Sequence, residues 1–175
     1  MTRQEKIDEL INTCISKMSD EDRLVYRPIV EYALELGYTP APVKTSGGIS
    51  GELAFKKSKV KRTLLRINPN KKETGKADLR LIFYATPKYS EPFCMGIKNV
   101  IEAFDGRYTG CYGCGRCKND LEGYTYIYPD GKTVFRCGCE LIRLSTLNAT
   151  DVDEVKAMMK TQDEFWLRKV EDKSK

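Results

Sequence analysis

The sequence predicts an α+β fold, with a small antiparallel sheet packed against N- and C-terminal helices and an appended β-hairpin. Three observations carry this expectation. Apolar residues recur at helical spacing at both ends of the 175-residue chain. Strand-like segments fill the middle, at about 52–57, 60–67 and 79–86. The order of elements is helices, strands, helix, strands, helix, without the regular alternation that builds a doubly wound sheet.

The elements follow in order. Thr2-Arg3-Gln4-Glu5 is a capping-box pattern, and Ile7, Leu10, Ile11, Cys14, Ile15 and Met18 repeat behind it, so a first helix is expected to end near Lys17. Ser19 caps a second helix over about 21–36, with Leu24, Val25, Ile29, Val30, Ala33, Leu34 and Leu36 as its apolar residues and Pro28 as a point of interruption. Gly37 terminates it. Residues 39–51, TPAPVKTSGGISG, read as a loop rich in Pro, Gly and Ser. In the third strand Leu79, Leu81, Phe83 and Ala85 alternate with Arg80, Ile82 and Tyr84. Ser90 opens a helix over 91–104. Thr150 with Asp153 caps the last helix, whose core face carries Val152, Val155, Met158, Met159, Phe165, Trp166 and Leu167. Gln162 and Asp163 are expected to interrupt that helix. Residues 1–105 and 145–175 together form the main body, and 106–144 a cysteine-rich hairpin subdomain.

Composition narrows the function classes. Hydrophobic residues make up 41% and charged residues 31%, enough for a core and for solubility. No apolar run approaches the roughly 20 residues of a membrane span. The start, MTRQEKIDEL, lacks the apolar core of a secretory signal, so a cytoplasmic setting without membrane partners is expected. The chain has no histidine. That excludes Ser-His-Asp and Cys-His catalysis and HExxH metal sites within it. No catalytic constellation remains, and the expectation leans away from an enzyme.

Five of the seven cysteines fall within residues 111–139. Their spacing is Cys111-x2-Cys114-x2-Cys117, then nineteen residues, then Cys137-x-Cys139. A tetrahedral zinc site takes four thiolates, and Cys-x2-Cys lets one tight turn present two. Gly113 and Gly115 allow backbone N–H groups to point at sulfur. The intervening residues fold back on themselves. Tyr124–Tyr128 and Thr133–Arg136 flank Pro129-Asp130-Gly131-Lys132, a hairpin turn, with Tyr128 expected opposite Thr133, Tyr126 opposite Phe135 and Tyr124 opposite Cys137. The hairpin thus returns Cys137 to the first knuckle, which is zinc-ribbon-like geometry. Cys111, Cys114 and Cys137 are the expected ligands. The fourth is Cys117, with Cys139 as the alternative, because an extended Cys-x-Cys spreads its thiols roughly 6–7 Å apart unless Gly138 bends the chain. Arg107, Arg116, Lys118 and Arg136 flank the cluster and offset its charge. A zinc ion on four thiolates lowers the formal net charge from +5 to about +3. An iron–sulfur cluster is the second metal reading, since Cys-x2-Cys-x2-Cys also opens a ferredoxin run. A thiol redox site is a third.

Nine cations face one acid, Glu73, within residues 56–76. Lys56, Lys57, Lys59, Lys61 and Arg62 are candidates for nucleic-acid contact, while a solvated strand edge protected by lysine is the plainer account. Tyr112, Tyr124, Tyr126 and Tyr128 either stack on bases or pack across the hairpin.

At GRYTGCYGCGRCK and YPDGKTVFRCGCELI the chain resembles small bacterial proteins of unknown function that carry an embedded zinc-ribbon-like cysteine cluster. The resemblance spans residues 104–144 and rests on Cys111, Cys114, Cys117 and Cys137 with Gly113 and Gly115. It implies a metal and a bacterial cytoplasmic setting, and it implies no reaction. Cys139 and the close third cysteine depart from a plain two-knuckle ribbon. The expectation is therefore a metal-stabilised, non-enzymatic module that binds a ligand or partner. A nucleic-acid-binding regulatory protein is the alternative, and an iron–sulfur or thiol redox protein the third.

Overall fold

A computed structural model describes the chain except residues 47, 72–73, 104–109, 112, 118–119, 145 and 173–175. The described residues form α1 (Arg3–Ile15), α2 (Asp20–Glu35), β1 (Thr39–Thr45), β2 (Gly48–Lys57), β3 (Arg62–Asn68), β4 (Asp78–Leu81), α3 (Glu91–Glu102), β5 (Gly123–Ile127), β6 (Thr133–Cys137), β7 (Ile142–Leu144) and α4 (Val152–Glu171). An antiparallel sheet runs β1-β2-β3-β4-β7, and β5-β6 form a separate hairpin. The fold is α+β with helices at both ends. No helix among the described residues is long and apolar enough to cross a membrane.

The caps at the first two helices form as the sequence dictates. Thr2 and Glu5 complete a capping box, and the Ser19 hydroxyl accepts the Asp22 N–H at 3.1 Å. Pro28 does not break α2. The turn it weakens starts at Leu24, which is 72% exposed, so water can take the place of the missing donor. Leu24 is therefore not a core residue. Asn148 and Asp151, rather than Thr150 and Asp153, form the box before α4, around a short 3-10 turn.

Three expectations about strands are corrected. Residues 39–45 form β1, although Pro40 and Pro42 suggested a loop. β1 is an edge strand, where a proline's missing donor can face away from the ladder. The third predicted strand stops at Leu81 rather than residue 86. Beyond it, side chains take the backbone donors: Phe83 N–H bonds Tyr124 Oη at 3.2 Å and Ala85 N–H bonds Gln162 Oε1 at 3.0 Å. Residues Ile142–Leu144, assigned by sequence to the cysteine subdomain, pair with β4 in the main sheet.

Register places Leu53, Phe55, Leu65, Ile67, Leu79, Leu81, Ile142 and Leu144 on one sheet face. All are buried, in one core with Ile29, Ala33, Phe93, Val155 and Met159 from the helices. α4 is continuous through Gln162 and Asp163 because both polar groups are answered. Asp163 is buried, and Lys57 Nζ reaches both its oxygens at 2.8 Å while Tyr38 Oη donates to Oδ1 at 2.9 Å. This tie fixes β2, β1's start and α4 together. Burial and the Asp163 charge push the Tyr38 hydroxyl pKa well up, so it stays a donor.

Candidate metal centre

The hairpin register differs from the expected one by one residue. Ile127 pairs with Thr133, Tyr126 with Val134, Tyr124 with Arg136 and Gly123 with Cys137. The cause is the turn. Gly131 adopts φ +84°, its N–H bonds the Tyr128 carbonyl at 2.9 Å, and Tyr128 N–H bonds the Lys132 carbonyl at 2.8 Å. The loop thus holds three residues instead of four, and Lys132 rather than Thr133 answers Tyr128.

The first cysteine turn is anchored where Gly110 N–H bonds the Phe135 carbonyl at 2.8 Å. Gly110, Gly113 and Gly115 all take left-handed φ, at +87°, +63° and +68°. Such a backbone is open to glycine and strained for other residues. It lets Gly113 N–H donate to Cys111 Sγ at 3.3 Å. Cys117 Sγ accepts Glu122 N–H at 3.4 Å.

Cys114, Cys137 and Cys139 come together, with all three sulfurs within 4.8 Å of one another. The Cys137 and Cys139 sulfurs are 3.3 Å apart. Extended geometry would separate them by roughly 6–7 Å. The chain instead turns at this point, with Glu140 N–H bonded to the Cys137 carbonyl at 3.1 Å, and Gly138 makes the bend. A tetrahedral zinc with 2.3 Å bonds separates its sulfurs by about 3.8 Å. The three thiols match that scale and can hold a metal ion. Of the four residues favoured from sequence, Cys114 and Cys137 lie in this group, and so does the alternative, Cys139. Cys111 and Cys117 lie outside it. Cys117 lines the same small crevice as the three, together with Tyr84, Arg116 and Glu122, whereas Cys111 is exposed.

Electrostatics suit a cation. Burial, then the hydrogen bond and charge of Cys137, then Cys114, push the Cys139 thiol up to about 12. Three thiolates crowded together repel one another, and a bound divalent ion reverses that sign. Cys137 is buried on the inner side and Cys114 is exposed on the outer.

A polar chain ties the centre to the main body. Trp166 Nε1 donates to Tyr84 Oη at 2.9 Å, and Tyr84 Oη donates to Glu122 Oε2 at 2.7 Å. Lys169 pairs with the other Glu122 oxygen. Gly138 N–H bonds the Glu122 carbonyl at 2.8 Å. Burial and the Glu122 carboxylate raise the Tyr84 pKa, which keeps this hydroxyl protonated. Tyr124, fully enclosed, packs edge-on to Phe83 at 5.2 Å, so the hairpin shares the aromatic core. Tyr84 and Glu122 carried no sequence signal of this role, since neither stands in a motif.

The basic candidates divide. Lys57 is turned inward to Asp163. Lys59 approaches Glu171 at 3.9 Å, and Arg62 lies over the Trp166 ring at 5.9 Å. Lys56, Lys61 and Arg62 line a cavity of about 460 Å³. Tyr126 and Tyr128 pack edge to face at 4.9 Å, and Tyr128 Oη donates to Glu102 at 3.2 Å. Arg107, Tyr112 and Lys118 lie outside the described residues, as do Lys72, Glu73 and the expected end of the third helix at Phe104. Arg136 is buried and pairs with Glu140 at 2.9 Å.

No protein-family model, no curated protein and no solved structure matches the chain.

Proposed function

We propose that Cys114, Cys137 and Cys139, completed by Cys117, hold one zinc ion with a structural role. The ion fastens the first cysteine turn and the β5–β6 hairpin onto the main body, giving a zinc-ribbon-like subdomain within a small bacterial cytoplasmic protein. The body then serves as a non-enzymatic ligand-binding module. One observation carries the reading: the sulfur of Cys114 converges with those of Cys137 and Cys139, from a segment more than twenty positions away, within 4.8 Å and beside a fourth thiol in the same crevice.

The competing metal and redox readings fit this geometry less well. Sulfurs gathered around one point suit a single ion, whereas a cluster's thiolates bind separate irons. A reactive thiol must be reachable, whereas Cys137, one of the three convergent sulfurs, is buried.

Chelation tests the structural role. Stripping the metal from a zinc-loaded sample should lower the melting temperature and raise hydrogen exchange in 110–140, with Cys139→Ser giving the same result without chelator. Unchanged melting and exchange on verified loss of zinc would end the reading.

A further inference from the structure

Three of the strands carry an arginine between two aliphatic residues: Leu65-Arg66-Ile67, Leu79-Arg80-Leu81 and Ile142-Arg143-Leu144. Register aligns them, Arg66 with Arg80 and Arg80 with Arg143. With the aliphatics on the core face, the arginines form a row on the opposite face, rising from adjacent strands about 4.8 Å apart. Like charges directly opposite each other cost stability unless they are answered. Arg80 approaches Glu52 at 3.5 Å and Arg143 approaches Asp78 at 2.9 Å. The Arg143 contact is an ion pair rather than a well-aligned hydrogen bond, since Arg143 Nε and both Asp78 oxygens are buried without a hydrogen-bond partner. Arg66 Nε is buried without a hydrogen-bond partner too, and among the described residues no carboxylate pairs with it. A buried donor left so calls for an acceptor the protein itself does not supply.

Two cavities, of about 520 and 460 Å³, meet at Arg66, Cys139 and Leu141. The first is walled by the three arginines and by one acid, Glu140, whose carboxylate is paired with Arg136 at 2.9 Å. The second adds Lys56, Lys61, Arg62 and Arg116, and no acid stands among its described lining residues. The cation excess outweighs the net −1 or −2 of a zinc thiolate centre beside Cys139. No aromatic ring lines either cavity among the described residues, so no aromatic side chain there stacks on a base. Val100, Ala103 and Leu141 supply an apolar wall instead. Guanidinium forks in a row match a run of phosphate oxygens, and the concave volume suits a small molecule.

We propose that this trough binds a small ligand bearing two or more linked phosphate groups, with Arg66 as its central contact. The inference deepens the ligand-binding reading, and the metal contributes by fixing Arg116 and Cys139 at the trough's margin.

The test is calorimetric titration of the full-length protein, metal content measured on each sample, with inorganic tripolyphosphate, orthophosphate and a twenty-nucleotide single strand in 0.15 M salt. The expected result is saturable one-to-one binding of tripolyphosphate, at least about ten-fold tighter than orthophosphate. Arg66→Gln should weaken it about ten-fold or more, the scale of one lost charged hydrogen bond. Lys61→Gln, at an exposed turn, should weaken it a few-fold and serves if Arg66→Gln does not fold. No saturable tripolyphosphate binding overturns the proposal, as does unchanged affinity in both variants. Displacement of tripolyphosphate by the oligonucleotide at a lower phosphate concentration also overturns it, in favour of a nucleic-acid strand. Because zinc is assayed separately, metal-free protein that still binds tripolyphosphate would reject the zinc reading alone.

Discussion

The ring of Tyr84 occupies the space that a side chain at residue 138 would need: a Cβ built on Gly138 would stand 2.6 Å from Tyr84 Cε1 and 2.8 Å from the Glu122 carbonyl oxygen. The bend that brings Cys137 and Cys139 together is thus packed directly onto the main body. Gly138→Ala must displace a ring held by hydrogen bonds on both sides. We expect it to cost about 1–3 kcal/mol, the range for overpacking, and to weaken metal retention. Thermal melting and bound-metal assay of the variant check both.

The hydroxyl of the same tyrosine can be tested without adding volume. Tyr84→Phe leaves Trp166 Nε1 without its acceptor and Glu122 Oε2 without this donor, while Lys169 still pairs with Oε1. The expected loss is about 1–3 kcal/mol by urea unfolding, the penalty for orphaned polar groups. A neutral result would mean that water replaces the hydroxyl and that the polar chain does not couple α4 to the metal turn.

Asp163 and Lys57 form the most enclosed ion pair described, with side chains 5% and 14% exposed. Asp163→Ala strands a buried ammonium and should cost about 3–5 kcal/mol, whereas the double change Lys57→Met, Asp163→Leu should recover most of it. Urea midpoints of both variants decide the matter. Equal losses in the single and double variants would show that the charges are not coupled.

Asp78 gives a pH signature. Burial is the main cause that raises its pKa above the ordinary 3.8, against the lowering effect of Arg143. The folded protein therefore takes up this proton more readily than the unfolded chain does. The resulting stability is full below about 3.8 and is lost as pH rises through the elevated value. Relative to Asp78→Asn, wild type should lose stability with rising pH in that window, at up to about 1.4 kcal/mol per unit. Melting of both proteins from pH 3.5 to 6 measures the difference, and a flat difference contradicts it.

Much of this architecture is legible in the sequence, and the failures have physical causes. The periodicity behind Thr2 and Ser19 fixes two helices because local capping and apolar spacing agree there. β1 escaped notice because Pro40 and Pro42 signal a loop, and only the knowledge that the strand lies at an edge makes them harmless. The cysteine cluster is legible from its spacing, while the convergence of Cys139, the alternative ligand, with Cys114 and Cys137 is not. Ideal strand geometry separates Cys137 from Cys139, and the bend at Gly138 depends on Tyr84, 54 positions earlier. The hairpin slipped by one residue because Gly131 enters the left-handed region and shortens the loop. The arginine row was invisible as a row: each Leu-Arg-Leu-like triplet looks like an ordinary half-buried strand until register sets the three side by side.

The central claim is that three convergent sulfurs hold one metal ion. Elemental analysis of protein purified without added metal tests it most directly, with Cys114→Ser, Cys137→Ser, Cys139→Ser and Cys111→Ser alongside. We expect about one zinc per wild-type chain, lost from the first three variants and kept in Cys111→Ser. Wild-type protein without metal, or zinc kept in full by Cys137→Ser and Cys139→Ser, would contradict the account.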